Sequence, residues 1–144
     1  MYFKWKDEYC TGIDVIDRQH KHLFEIGSRI FELADIDDGF DHYDEIMDVL
    51  AELKDYTEYH FGYEENLMMK YGYENYEQHK FQHFFVIKKI SKFESEDVDE
   101  KQRETAIGLA EFISDWITNH ILKEDMKYRE SFINKGLDLA KLGN

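Results

Sequence analysis

The chain has 144 residues and no proline, and its net charge at neutral pH is −14. This charge argues against binding to nucleic acids or to anionic membranes, because both carry negative charge themselves. The single cysteine, Cys10, cannot form an internal disulfide, and no apolar stretch approaches the roughly 20 residues that cross a bilayer. Because the first ten residues also contain no apolar leader, we expect a cytoplasmic protein.

Length and hydrophobic periodicity predict one all-α domain over residues 1–144. Residues 1–13 have no helical period, and their aromatic side chains predict an N-terminal arm that packs on the rest of the domain. A first helix then begins where Asp14 or Asp17 can cap it, and it ends before a loop at residues 35–40.

Three more long helices follow the first. The second begins near Asp41, the third begins near Asn75 after a turn at Gly72, and a polar loop at residues 94–100 precedes the fourth. The residues from Ser131 onward predict a short C-terminal helix that covers the bundle. Four helices joined by short loops favour an up-down-up-down four-helix bundle.

Two pairs of candidate metal ligands flank the turn at Gly72. The first is His60-x-x-x-Glu64 and the second is His79-x-x-x-His83. Residues four apart are separated by 400° around an α-helix, so the members of each pair share one face, one turn apart. A lone histidine on a helix is more often a surface or core residue than a ligand, but two such pairs around one turn favour a metal site.

Two further histidines lie in apolar stripes, His20 in the first helix and His120 in the fourth, and acidic residues follow His120. Burying so many imidazoles and carboxylates without a cation would leave polar groups unsatisfied, which costs free energy. Nitrogen and oxygen donors without thiolate suit iron, manganese or zinc. By contrast, helical phase places His22 about 200° from His20, and His42 lies about 27 Å from His60, so we expect neither in the site.

The candidate ligands occur along the chain in the order His20, His60-x-x-x-Glu64, His79-x-x-x-His83 and His120-x-x-x-x-Asp125. This order and spacing resemble the ligand set of the hemerythrin family, and in particular of its single-domain bacterial members, the bacteriohemerythrins. The opening Gly12-Ile13-Asp14-x-x-Asp17-x-Gln19-His20 is also similar to the bacterial members. Many of these relatives carry proline in the turn after the second helix, whereas this chain has Gly72-Tyr73-Glu74.

The resemblance implies a non-haem di-iron centre whose two irons are joined by two carboxylates and by an oxo or hydroxo group. Two octahedral irons have twelve coordination positions. Five imidazole nitrogens fill five of them, and the two carboxylates and the hydroxide, which each bind both irons, fill six more, so eleven are filled. The open position lies on the iron with two histidines, which is where the family binds O2. The implied ligands are His79, His83 and His120 on one iron, His20 and His60 on the other, and Glu64 and Asp125 as bridges.

The implied function is reversible O2 binding for carriage, delivery or storage, rather than enzymatic turnover. O2 is the implied ligand, and an O2-using enzyme or another unidentified protein is the expected recipient. An alternative is a module that senses O2, redox state or iron and acts on a separate partner, although no output domain precedes Asn144. A di-iron oxidase or peroxidase is a weaker alternative, because ferritin-like oxidases use paired Glu-x-x-His helices and no Glu-x-x-His occurs here.

The second bridging position is where helical phase and the family resemblance disagree. In a regular helix Glu124 lies about 40° from His120, whereas Asp125 lies about 140° away. Phase alone therefore favours Glu124, and the resemblance favours Asp125. Asp125 can reach the site only through an irregular turn, such as a π-type turn, so we predict such a turn between His120 and Asp125.

Overall fold

The computed structural model describes residues 4–36, 38–40, 42–95 and 98–143, and these residues form helices and no strand. A π-helical turn (His120–Asp125) joins the fourth long helix to a shorter one, and 3₁₀ turns occur at Asp7–Tyr9 and Leu139–Lys141. No helix in the described ranges is both long enough and apolar enough to span a membrane. The α-helices are α1 (Asp14–Asp35), α2 (Tyr43–Lys70), α3 (Tyr76–Ser95), α4 (Val98–Asn119) and α5 (Met126–Asn134).

The long helices form a bundle in which α1 packs against α2 and α4, and α2 packs against α3. The contacts between α1 and α2 show that these two helices are antiparallel. The ring of His22 lies 4.3 Å from that of Tyr56, and farther along α1 the side chain of Arg29 pairs with Glu52. Residue numbers therefore rise on α1 as they fall on α2. This architecture confirms the all-α four-helix bundle predicted from the hydrophobic periodicity.

The predicted start of the first helix is correct, but the predicted cap is wrong. Helix α1 begins at Asp14, and its N-cap residue is Ile13, which makes no side-chain capping bond. Asp17 lies inside the first turn, so neither predicted aspartate occupies the cap position. The second helix begins at Tyr43, and Asp41 lies outside the described residues.

The predicted polar loop at residues 94–100 is mostly helical. Helix α3 extends to Ser95 and α4 begins at Val98, while residues 96 and 97 lie outside the described ranges. Glutamate favours helices, and polar side chains on a helix can face solvent, so a polar stretch can continue a helix instead of ending it. The C-terminal helix also begins earlier than Ser131, because the π-helical turn leads directly from α4 into α5.

Asp17 fastens the N-terminal arm to α1. Its Oδ1 accepts hydrogen bonds from the backbone amide of Thr11 at 2.8 Å and from the Thr11 hydroxyl at 2.9 Å. Its Oδ2 accepts a hydrogen bond from the amide of Gly12 at 3.2 Å. The Nε of Arg129 donates to the carbonyl of Thr11 at 2.9 Å, so the arm is also joined to α5.

Trp5 and Tyr9 of the arm pack on α1, as the sequence predicts, while the other two aromatic residues of the arm, Tyr2 and Phe3, lie outside the described residues. The rings of Trp5 and Tyr9 lie 5.4 Å and 5.3 Å from the ring of Phe24. Tyr9 is buried in the core. The arm therefore covers one side of the bundle with apolar surface.

The turn between α2 and α3 ends the first of these helices with a glycine in a left-handed conformation. Gly72 has a φ of 66°, its amide donates to the carbonyl of Met69, and the amide of Tyr73 donates to the carbonyl of Met68 at 2.9 Å. This pattern of bonds is the Schellman motif, in which the residue after the cap packs on the last turn of the helix. The buried Tyr73 makes that contact, so the predicted reversal at Gly72 is confirmed without proline.

The apolar core has two parts with a polar layer between them. On α1 the smaller part ends at Ile16 and the larger part begins at Leu23; on α2 the larger part ends at Phe61 and the smaller begins at Leu67. The chain from α4 to α5 repeats this division. The candidate ligands on these helices lie between the two parts, so the fold sets aside one layer of the bundle for polar side chains.

Replacing Asp17 with alanine should lower the free energy of unfolding by about 1–3 kcal/mol, because the buried amide and hydroxyl of Thr11 lose a charged acceptor. Denaturant unfolding followed by circular dichroism measures this change. The matched control is Asp14→Ala, which removes an exposed carboxylate from the same helical turn. Equal losses in the two variants would contradict the role assigned to Asp17.

Candidate metal centre

Seven buried polar side chains meet in the layer between the two parts of the core. None of them is more than 6% exposed. All seven residues predicted as ligands are therefore brought together, although they come from separate parts of the chain. They are His20 from α1, His60 and Glu64 from α2, His79 and His83 from α3, and His120 and Asp125 from the π-helical turn.

The two oxygens of Asp125 face different histidines. Its Oδ1 lies 3.1 Å from Nε2 of His79 and 3.0 Å from Nε2 of His120. Its Oδ2 lies 3.0 Å from Nε2 of His20. One carboxylate thus reaches both halves of the cluster, with one oxygen for each half.

Glu64 also contacts both halves. Its Oε1 lies 3.1 Å from Nε2 of His60 and 3.4 Å from Nε2 of His83. Its Oε2 accepts a hydrogen bond from the Tyr128 hydroxyl at 2.6 Å and lies 3.8 Å from Nε2 of His20. Glu64 is therefore shared by two sets of donor atoms, each compact enough to hold a cation.

The π-helical turn brings Asp125 into the site in place of Glu124. The amide of Met126 donates to the carbonyl of Ile121, five residues earlier, so this turn is one residue wider than an α-helical turn. Asp125 is fully buried, whereas Glu124 is partly exposed and accepts hydrogen bonds from Lys127 at 3.3 Å. The predicted irregular turn is confirmed, and helical phase alone gives the wrong carboxylate.

The donor atoms of the cluster fit a cation better than they fit one another. Nε2 of His20, Nε2 of His83, Oε1 of Glu64 and both oxygens of Asp125 are buried and make no hydrogen bond of acceptable geometry among the described residues. Yet the distances between neighbouring donors are mostly 3.0–3.4 Å. Two ligands at right angles around an ion with bonds of about 2.1 Å would lie about 3 Å apart.

A contact between two histidines supports the same conclusion. Nε2 of His79 lies 3.1 Å from Nε2 of His120, and both atoms face Oδ1 of Asp125. Three polar atoms directed at one point can be satisfied together by a metal ion placed among them. The side chains present therefore fit a bound metal, and nitrogen and oxygen donors without thiolate suit iron, manganese or zinc.

The histidines and carboxylates shift each other's pKa values. Burial alone would raise the pKa values of Glu64 and Asp125, but the surrounding imidazoles outweigh burial and hold both well below the usual range. Burial lowers the pKa of His60, while at His83 the nearby carboxylates of Glu64 and Glu65 outweigh burial and raise the pKa to about 9. The carboxylates therefore stay charged and favour positive charge beside them, which a metal ion supplies when it displaces the imidazole protons.

Three further side chains hold the ligands in place, and the sequence did not reveal their roles. The Nδ1 of His60 donates to Oε1 of Gln19 at 2.6 Å, and the Nδ1 of His83 donates to Oε2 of Glu65 at 2.9 Å. Tyr128 donates to Glu64 as described above. Gln19 and Glu65 adjoin predicted ligands and Tyr128 follows another by three residues, but their partners depend on how different helices pack.

Aromatic rings stack on two of the imidazoles. The ring of Phe61 is parallel to that of His83, with centroids 3.7 Å apart and an interplanar angle of 1°. Trp116 stacks on His120 at 4.4 Å and 15°. These contacts fix the planes of the two imidazoles and keep water away from their faces.

Comparison with known proteins agrees with this geometry. The sequence model of the Hemerythrin HHE cation binding domain matches residues 11–130. The chain belongs to the hemerythrin family. Bacteriohemerythrin from Clostridium acetobutylicum is 40% identical over 126 residues, which cover 88% of this chain and 98% of that protein. Bacteriohemerythrin from Pseudomonas aeruginosa is 36% identical over 142 residues, which cover 95% of this chain and 86% of that protein.

The two remaining histidines lie outside the hemerythrin-type cluster, as helical phase predicts. Nδ1 of His22 pairs with Glu25 at 3.1 Å on the surface. His42 precedes α2 and pairs with Asp38 at 2.8 Å and with Glu45 at 3.2 Å. Both imidazoles therefore have carboxylate partners of their own away from the metal centre.

Asp125→Ala should abolish tight metal binding, because it removes the carboxylate that, alone among the described residues, faces His20 with one oxygen and His79 with the other. Glu124→Ala should leave metal content unchanged, since Glu124 points away from the cluster. Metal analysis of the two purified variants after identical loading distinguishes these outcomes. Loss of metal from Glu124→Ala with retention in Asp125→Ala would show that the turn places the other carboxylate in the site.

Tyr128→Phe should weaken metal binding about 10- to 100-fold, because Glu64 loses the hydroxyl that orients it. Competition against a chelator of known affinity measures the change. Tyr63→Phe is the matched control, since the Tyr63 hydroxyl donates to the carbonyl of Gly143 and does not touch the cluster. Equal affinities for Tyr128→Phe and the parent protein would exclude this orienting role.

Proposed function

We propose that the chain binds O2 reversibly at two non-haem irons and serves in O2 carriage, delivery or storage, not in enzymatic turnover. The observation that carries this proposal is the division of the cluster into unequal halves joined by Asp125 and Glu64. Asp125 faces His79 and His120 with one oxygen and His20 with the other. A carboxylate placed in this way is suited to bridge two ions.

The halves differ in the number of imidazoles. His79, His83 and His120 serve one ion and His20 and His60 serve the other, with both carboxylates shared. The half with two histidines has one protein donor fewer, so it is the half at which a small ligand can bind. A pair of ferrous ions in these positions would supply electrons to O2 and recover them when O2 leaves.

The apolar residues beside the open half favour reversible binding. Ile16 and Leu23 lie about one turn from His20 on either side along α1, and both side chains are buried. Such surroundings exclude water and limit the supply of protons. A proton source near bound O2 would promote its reduction, so a dry pocket favours release of O2 unchanged.

Among the described residues, Tyr128 is the one whose hydroxyl is seen to hydrogen-bond to Glu64. Burial raises the pKa of Tyr128 well above its usual range, and the charges of Glu64 and Asp125 raise it further. The proton therefore stays on Tyr128, where it is donated to Glu64. This hydrogen bond holds the orientation of the carboxylate that we assign as a bridge.

The proposal predicts two irons per chain after anaerobic iron loading. It also predicts oxo-to-iron absorption bands in the air-exposed protein that disappear on addition of dithionite and return with O2. Metal analysis and one optical titration test both statements. A single tightly held zinc without such bands would contradict the di-iron centre, and continuous O2 consumption with a reductant would favour an oxidase.

Two histidine variants, one within α2 and one at the residue before it, provide the control for this spectrum. His60→Ala removes an imidazole from the half with fewer ligands and should abolish the O2-dependent bands. His42→Ala changes a histidine at the start of α2 that contacts Asp38 and Glu45, and it should leave the bands unchanged. Loss of the bands in both variants would indicate a general effect on folding.

A further inference from the structure

The outer face of α3 carries three exposed phenylalanines. Phe81, Phe84 and Phe85 are 59%, 56% and 58% exposed, and the rings of Phe81 and Phe85 lie 4.9 Å apart. They occupy the side of α3 opposite His79 and His83, so the core does not need them. Three such rings present roughly 300 Å² of apolar surface, which is within the size range of the largest apolar patch on a typical monomer, and such patches are often functional.

The same face is basic in a chain that is otherwise strongly acidic. Helix α3 contains four lysines and two glutamates, which give it a net charge of +2. The whole chain carries −14, so the residues outside α3 together carry −16. Nζ of Lys88 lies 5.5 Å from the centre of the Phe84 ring, so charge and apolar surface are intermixed. The exposed lysines are Lys80, Lys88, Lys89 and Lys92.

A groove lies beside the phenylalanines, between α2 and α3. Its volume is about 290 Å³. Gly62 has no side chain to fill the groove from the α2 side, and a β-carbon added there would meet no atom within 4 Å. Cavities of about 150 Å³ accept benzene, so this groove has room for a phenyl ring. The lining residues are Glu58, Gly62 and Glu65 on α2, Lys80, Phe84 and Ile87 on α3, and Phe61 and His83 at the floor.

We propose that this face joins two copies of the chain in a symmetric dimer. Phe81 and Phe85 of one copy would pack into and around the groove over Gly62 of the other. A symmetric interface must be complementary to itself, so it needs both the protruding and the receiving feature on one face. This face has both, and the inference does not depend on O2 binding.

Charge favours a second copy over other occupants. Glu58 of α2 is exposed and lines the groove together with Lys80 of α3, and Asp55, about one turn away on α2, is also exposed. Two copies related by a twofold axis can place each basic row against an acidic row, whereas an acidic partner or an anionic membrane would also meet these carboxylates. Repulsion between the remaining charges is screened beyond about 8 Å at physiological ionic strength.

The dimer would cover the outer edge of the metal centre. Glu65, which accepts the Nδ1 proton of His83, lines the groove and is 19% exposed. A ring from the second copy would shield this hydrogen bond from water. Hydrogen exchange of α2 and α3 near the groove should therefore slow as protein concentration rises.

Sedimentation velocity of the intact protein from about 1 μM to 1 mM tests the proposal, since small interfaces give affinities in this range. We expect a monomer–dimer equilibrium that Phe85→Glu weakens at least about tenfold. Gly62→Leu should weaken it as well by filling the groove, without strain in the helix. Phe40→Glu is the matched control, because Phe40 is 76% exposed in the loop before α2.

A charge exchange tests the pairing of the two rows. Lys88→Glu should weaken the dimer, and the double variant Lys88→Glu with Glu58→Lys should restore part of the lost affinity. None of the substituted residues is a proposed metal ligand, so retained metal content shows that the variants fold. A protein that stays monomeric throughout, or a dimer insensitive to Phe85→Glu and Gly62→Leu, would overturn the proposal, as would binding of the face to anionic vesicles in preference to self-association.

Discussion

The structure depends on placing two buried carboxylates against five imidazoles. Glu64 and Asp125 are fully buried, and an isolated carboxylate in such a position would be costly. The imidazoles around them lower this cost, but several donor atoms still lack hydrogen-bond partners among the described residues. Bound metal would resolve both problems, because it would supply positive charge and use the unsatisfied lone pairs. The side chains that form the polar layer are therefore the same ones that would bind metal, and the two parts of the apolar core enclose them.

The backbone meets this requirement with two special turns. The Schellman turn at Gly72 reverses the chain so that the ligands of α3 face those of α2. The π-helical turn at His120–Asp125 rotates Asp125 inward and leaves Glu124 at the surface. A regular helix would have placed a longer and more flexible carboxylate near the site. The widened turn thus replaces the regular α-helical hydrogen bonds over one turn. This change places a short carboxylate where it reaches both halves of the cluster.

Much of the site could be predicted from sequence because helical periodicity is local. The pairs His60 and Glu64, and His79 and His83, share faces by their spacing alone, and the structure brings them together. Asp125 could be selected only through the family resemblance, because helical phase favours Glu124. The partners Gln19 and Glu65 were beyond sequence reasoning, since each hydrogen bond joins two helices and depends on their relative register.

Helix boundaries were the least predictable feature of the fold, for a related reason. The polar composition of residues 94–100 predicts a loop, but Glu94 and Ser95 belong to α3 and α4 begins at Val98. The residue type of Asp17 favours a cap position, yet its carboxylate turns back to the arm and binds Thr11 and Gly12. In both cases the local sequence allows two structures, helix or loop in the first and cap or internal helical position in the second, and contacts with the rest of the fold determine which one forms.

The partners of the imidazoles make the two halves of the cluster differ in donor strength as well as in ligand number. His83 donates its Nδ1 proton to the carboxylate of Glu65, whereas His60 donates to the neutral amide of Gln19. An imidazole bonded to a carboxylate is the more basic donor toward a metal. The half of the cluster with three histidines therefore offers more imidazoles and the more basic donor, and the half with His20 and His60 offers fewer and weaker donors. If each half holds one ion, as we propose, the ion beside His20 and His60 would be the stronger Lewis acid and would have more space around it, so both differences would direct a small ligand to that side.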